Sequence, residues 1–140
     1  MSIISFDTGL KTYDLTDECQ VRFNPTDTGF IEKVYNAIEA VDVAVKKYEP
    51  KVPAAEPGAE LFNVLHEYDN VLCGIVDGLF NIPVSDAVFA EVRPSALGDN
   101  GLPICLNLIL AIYEECDAKA IERKGRQSKT VEKYTKKYHK

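Results

Sequence analysis

Along this chain the spacing of apolar positions changes once, near residue 24, and the change separates two kinds of structure. Before it, Ile3 to Phe6 is a short apolar run and Lys11 to Leu15 follows the turn residues Asp7-Thr8-Gly9. Cys19, Val21 and Phe23 then alternate with polar neighbours. Alternation puts every second side chain on one face of a strand, and Gly9 can take the positive φ of a tight turn. The pattern predicts a hairpin from the first two runs, or a three-stranded sheet once Cys19 to Phe23 joins it. So few strands need a helical layer to pack on.

From Asn24 onward the period is helical. Asn24-Pro25-Thr26-Asp27 reads as a helix start, with Asn24 as cap, Pro25 at the first helical position and Asp27 beside free backbone N–H groups. Phe30, Val34, Ala37, Ile38, Val41, Val45 and Tyr48 mark one face, and Pro50 stops the helix. Residues 50–58, with three prolines and a glycine, read as a stiff loop. A second helix is predicted over 59–80, with Leu61, Leu65, Tyr68, Leu72, Ile75, Val76 and Leu79 inward. Gly74 and Gly78 each cost about 1 kcal/mol in a helix, so their presence predicts close approach of another backbone.

Asn81 suits a left-handed C-terminal cap and Pro83 prevents continuation. Ser85 reads as the cap of a short helix to Glu91, with Val88 and Phe89 inward. A loop follows from Arg93 to Gly101. A third long helix starts near Pro103, burying Ile104, Leu108, Ile109, Ile112, Cys116 and Ala120 and broadened by Leu102, Leu106, Leu110 and Tyr113. It is expected to fray around Gly125, beyond which Val131, Tyr134 and Tyr138 keep a faint helical spacing. The expected class is α+β: a short N-terminal hairpin or three-stranded sheet, then a mostly helical body of three long helices and one short one.

Charge changes the picture more than composition does. The net charge is −6, yet residues 119–140 hold nine Lys/Arg against Glu122 and Glu132, which makes that stretch +7 and leaves residues 1–118 at −13. The reading is one globular domain over 1–118 and a basic, partly flexible extension over 119–140. Such an extension can be a solvated end, a phosphate-contacting arm with stacking tyrosines, or an arm that orders on an acidic protein surface. The acidic body repels nucleic acid, so the protein-docking reading is favoured. It makes Arg123, Lys124, Arg126, Lys129, Lys133, Tyr134, Lys137 and Tyr138 the partner-binding residues.

Length and cysteine usage bound the rest. A chain of 140 residues fits one domain that buries roughly 65–70% of its unfolded surface. Cys19, Cys73, Cys105 and Cys116 form no CxxC pair, the start lacks the basic and apolar regions of a secretory leader, and no run nears the ~20 apolar residues of a membrane span. Four reduced thiols in a cytoplasmic protein are expected.

The chemical motifs have structural explanations. Asp7-Thr8-Gly9 and Asp27-Thr28-Gly29 match the triplets of aspartic proteases, but one sits in a turn and the other in a first helical turn. His66-Glu67 opens like a helical zinc motif, yet position 70 is Asn70 and the second histidine, His139, is remote. No Gly-rich phosphate loop occurs. The expectation is a non-enzyme without cofactor or metal, working by contact with other proteins.

Four segments carry a resemblance: Phe23-Asn24-Pro25-Thr26-Asp27, Val76-Asp77-Gly78-Leu79-Phe80, Ser85-Asp86-Ala87-Val88-Phe89 and the Lys/Arg/Tyr-rich end. From about residue 20 the chain resembles the tail assembly chaperones of long-tailed bacteriophages. In that family a hydrophobic-Asp-x-Leu-Phe-Gly segment precedes a short turn and an x-x-Val-Phe-Gly segment; Asn81 and Ala90 stand here where many members have glycine. The resemblance implies a protein of the host bacterial cytoplasm. It would bind the long, helical tape-measure protein before the tail tube forms around it, help recruit tail-tube subunits, and then leave. Some members also exist as a longer frameshifted product. The crowded apolar residues 102–113 would serve as a client face or a homo-oligomer interface. Two other readings fit the same chain: a virion structural or connector protein that stays in the particle, and a small nucleic-acid-binding regulator acting through its basic end.

Overall fold

The computed structural model describes the backbone of residues 2–138 and the side chains of residues 2–124. Two antiparallel strands, β1 (Lys11–Thr16) and β2 (Cys19–Phe23), precede five helices: α1 (Thr28–Tyr48), α2 (Lys51–Ala54), α3 (Ala59–Phe80), α4 (Ser85–Val88) and α5 (Ile104–Tyr138). The α+β class and the order of hairpin and helical body are as the spacing predicts.

The position of the hairpin is not. Residues 2–10 form no strand, and the turn falls at Asp17-Glu18, where the Thr16 hydroxyl accepts the Glu18 N–H at 3.3 Å. Pairing Tyr13 with Val21 and Lys11 with Phe23 puts Tyr13, Leu15, Val21 and Phe23 toward the helices. Leu15 is the extra residue of a bulge between the Asp14–Gln20 and Thr16–Cys19 pairs. Ile3 and Ile4 are adjacent, so a strand would send them to opposite faces and bury at most one. Both stay exposed, at 90% and 85%, and Phe6 at 75%. Asp7-Thr8-Gly9 still turns, with Gly9 at φ +70° and its N–H on Asp7 Oδ1 at 2.9 Å, but the turn is tied to Asn24, whose amide donates to the Thr8 carbonyl at 3.0 Å.

The α1 start lies three residues later than Asn24-Pro25 suggests. The Asn24 carboxamide oxygen accepts from the Thr26 N–H and hydroxyl at 3.0 and 2.9 Å, making a turn of its own, and Asp27 caps the helix through the Gly29 N–H at 2.9 Å. The Pro-rich loop contains one helical turn, α2, because the Ala55 N–H can still reach the Lys51 carbonyl at 3.1 Å. The boundaries of α3 match the expectation, and Asn81 closes it at φ 57°, ψ 23°.

One apolar cluster joins all these elements except α2, which buries no residue. Val34, Ala37, Val41, Ala44 and Tyr48 of α1 face Tyr68, Leu72, Val76 and Leu79 of α3 and Cys105, Ile109, Ile112 and Cys116 of α5. On α5 the buried line runs through Cys105, one position on from Ile104, which is only half-buried along with Leu108 and Ala120. Phe23 stacks between Tyr13 and Phe30 with centroids 4.4 and 4.6 Å away, and Phe80 closes the cluster. Two expectations fail on physical grounds. Gly74 and Gly78 are exposed, and a Cβ at either would meet nothing within 4 Å, so no backbone among the described residues crosses there. The helix does not break at Gly125: α5 continues to Tyr138, since a single glycine costs only about 1 kcal/mol within a helix that is already nucleated.

Candidate functional site

The residues singled out by chemistry go to structural work. Asp7 and Asp27 each bind the N–H of the glycine two positions on, both at 2.9 Å, so the twin triplets make twin turns. His66 is exposed on α3, and no group of three or more metal-ligating side chains occurs among the described residues. Cys19, Cys105 and Cys116 are buried and Cys73 half-buried, all as free thiols. Burial pushes the Cys105 thiol up to about 12 and raises Cys73 and Cys116, which keeps them in the poorly nucleophilic protonated form.

Of the proposed partner-binding residues, the structure places two. Arg123 donates from Nη1 to the Thr26 hydroxyl at 2.8 Å, and Lys124 is exposed on the next position of α5. The side chains of Arg126, Lys129, Lys133, Tyr134, Lys137 and Tyr138 lie outside the described residues, although their backbone belongs to α5. The beginning of the basic stretch therefore rests on the body. There it walls a polar cleft of about 480 Å³ with Lys11, Asn24, Thr26, Lys119 and Glu122, bounded on the other side by Asp7-Thr8-Gly9. Lys119 reaches Glu122 at 3.3 Å and Glu115 at 3.9 Å.

A second concavity, about 290 Å³, lies between β1 and α5. Tyr13, Leu15, Phe23, Leu108, Ala111 and Ile112 line it, with Asp14 and Glu115 at its edges. Glu115 accepts from the Tyr13 hydroxyl at 3.1 Å and so fixes the ring that forms one wall. Burial and this carboxylate together push the Tyr13 phenol up to about 12. The groove uses part of the 102–113 stretch, whose Leu102 and Tyr113 are exposed and whose Leu106 and Leu110 are half-buried. Strand spacing does not reveal it, because it requires β1 to lie along α5, a placement that no local pattern encodes.

The Val76–Phe80 and Ser85–Phe89 segments meet through one carboxylate. Asp77 of α3 accepts the N–H groups of Val84 and Ser85 on Oδ1, both at 2.8 Å, and the Ser85 hydroxyl on Oδ2 at 2.9 Å. Asp69 does the same for the next loop, accepting the Ser95 N–H at 3.2 Å and lying 3.5 Å from Arg93. Helical periodicity marks Asp77 and Asp69 only as polar positions; their partners come from the chain's return path. No helix among the described residues is long and apolar enough to cross a membrane. No family model, curated protein or solved structure matches the chain.

Proposed function

We propose that the protein is a non-catalytic tail assembly chaperone of a long-tailed phage, acting in the host cytoplasm to hold the tape-measure protein and help recruit tail-tube subunits. The observation that carries the reading is the open apolar groove between β1 and α5, the helix that runs on into the basic stretch. A helical client can set one or two apolar side chains between Leu108, Ala111 and Tyr13, while the basic end of α5 attracts its acidic residues. The resemblance of the Val76–Phe80 and Ser85–Phe89 segments supplies the identity of that client.

The test is co-expression with the products of neighbouring genes, followed by pull-down. The tape-measure protein should be captured by the unaltered chain and lost with Ala111→Arg, which fills the groove from an exposed position without touching the core. Capture that survives Ala111→Arg moves the client elsewhere. Stoichiometric recovery of the protein from purified virions by mass spectrometry replaces the chaperone with a structural or connector protein.

A further inference from the structure

We infer that the open edge of β1 receives residues 3–6 of a second copy of this chain, which add a third strand there and set Ile4 and Phe6 into the groove between β1 and α5. This inference concerns the protein without its client and stands whether or not a tail protein is that client.

The sheet stops one strand short. It has two strands, and among the described residues no backbone hydrogen bond joins residues 11–16 to any segment but β2. Burial shows the same deficit. Cys19, Val21 and Phe23, the inward residues of β2, are buried, whereas Tyr13 and Leu15 of β1 are only half-buried. The space beside them is the groove of about 290 Å³. Asp14 borders it too, although its side chain alternates with that of Tyr13, so the groove opens along the strand edge as well as on the inner face. An uncovered strand edge is a template for another strand.

Residues 3–6 have the form of that strand. Ile3, Ile4 and Phe6 are the most exposed large apolar side chains among the described residues, and their segment pairs with nothing. In an extended chain Ile4 and Phe6 share one side, with Ile3 and Ser5 on the other. With Ser5 laid beside Asp14, Ile4 and Phe6 fall beside Tyr13 and Leu15 in either strand direction. The apolar pair then covers the half-buried pair, and the polar pair meets on the solvent side.

The occupant is a second copy because the segment is held away from its own edge. Asn24 follows β2, on the side of β1 opposite the open edge, and its amide holds the Thr8 carbonyl at 3.0 Å. The run that ends at Phe6 is thereby directed off the body. Each copy offers one such run and one open edge, so a reciprocal exchange uses both and closes as an isologous dimer. The area agrees. One insertion buries roughly 300 Å² of Ile4 and Phe6 with their backbone, and as much of the receiving groove. Two insertions reach about 1,200 Å², the lower bound of a specific interface, which a single insertion does not approach.

The experiment is sedimentation velocity on the full chain, on Ile4→Asp with Phe6→Asp, and on Ile3→Asp. The unaltered protein should be dimeric at about 0.1 mM, and the double variant should raise the dissociation constant about a hundredfold or more. Its circular dichroism spectrum should not change, because neither side chain is part of the core. Ile3→Asp, on the solvent side of the added strand, should still dimerise. Ser5→Cys and Asp14→Cys on separate chains, mixed and oxidised, should give a disulfide-linked dimer that neither gives alone. A monomeric unaltered chain overturns the inference, as does a dimer that survives the double variant or is lost equally in Ile3→Asp. With both cysteines on one chain, a disulfide closed within the monomer also overturns it, since the segment then lies on its own edge.

Discussion

Asp77 holds Ser85 from both sides of its carboxylate, one oxygen on the Ser85 N–H at 2.8 Å and the other on its hydroxyl at 2.9 Å. The same carboxylate takes the Val84 N–H, so three donors of the α3–α4 turn converge on one side chain. Hydrogen bonds to a charged acceptor contribute about 1.5–3 kcal/mol each at most, and they are not additive. Asp77→Ala should therefore lower the unfolding free energy by about 2–4 kcal/mol, and Ser85→Ala by about 1. Urea denaturation reads both, and a double-mutant cycle should show coupling. An Asp77→Ala loss below about 0.5 kcal/mol would mean that Asn81 and Pro83 set this turn without it.

Gly74→Ala should stabilise the protein. Its backbone is helical, it is exposed, and a Cβ there meets nothing within 4 Å, so alanine adds helix propensity and removes unfolded-state entropy. The gain expected is about 0.5–1 kcal/mol, and Gly78→Ala should behave alike. A loss of stability in the isolated protein would reveal a close neighbour that this geometry does not contain.

These glycines mark the limit of what local sequence encodes. Periodicity is a property of one element, so it located α1, α3 and α5 and most of their buried faces. It also placed Asn81, whose left-handed cap is a local need. What lies across from an element is not local. The Gly74–Gly78 spacing has the same form whether a backbone crosses it or solvent does. Ile3 to Phe6 has strand composition, but Ile3 beside Ile4 breaks the alternation that would bury the whole run on one face. The sequence marks Asn24 as the cap and Asp27 as an acid of the first turn; the helix starts at Asp27 instead, because the Asn24 side chain is engaged by Thr26 in a turn of its own. The groove between β1 and α5, like the Asp77 clamp, depends on tertiary pairing alone.

Alkaline pH should unfold the protein through groups that burial keeps neutral. Cys105 is pushed from 9.0 up to about 12, and Tyr13 and Tyr68 from 10.0 up to about 12. A folded-state value above the unfolded one contributes stability that is fully present below the unfolded value and is lost as pH rises through the folded one. The urea midpoint should hold from neutral pH to about 9 and fall between about 9 and 12. Tyr68→Phe isolates one group. The Tyr68 hydroxyl is buried without a hydrogen-bond partner, so its removal should also raise stability at neutral pH by up to about 1 kcal/mol. The variant should then lose less on going alkaline. An unchanged slope would place the alkaline loss on Cys105 and Tyr13.

Removing the chain after Arg126 should separate folding from partner binding. Among the described residues the last buried one of α5 is Cys116, and the Arg123–Thr26 contact is retained in such a chain, so the circular dichroism of the body and its melting temperature should be preserved. What is lost is Lys129, Lys133, Tyr134, Lys137 and Tyr138. If the tyrosines anchor a client and the lysines speed its encounter, affinity for the tape-measure protein falls at low salt, and the difference from the full chain narrows as salt screens the lysines. Tyr134→Ala with Tyr138→Ala in the full chain should reproduce the part of the loss that salt does not remove. Association measured at two salt concentrations, with all three proteins, decides the matter. Equal affinity of the shortened and full chains at low salt would leave the groove between β1 and α5 as the whole of the client site.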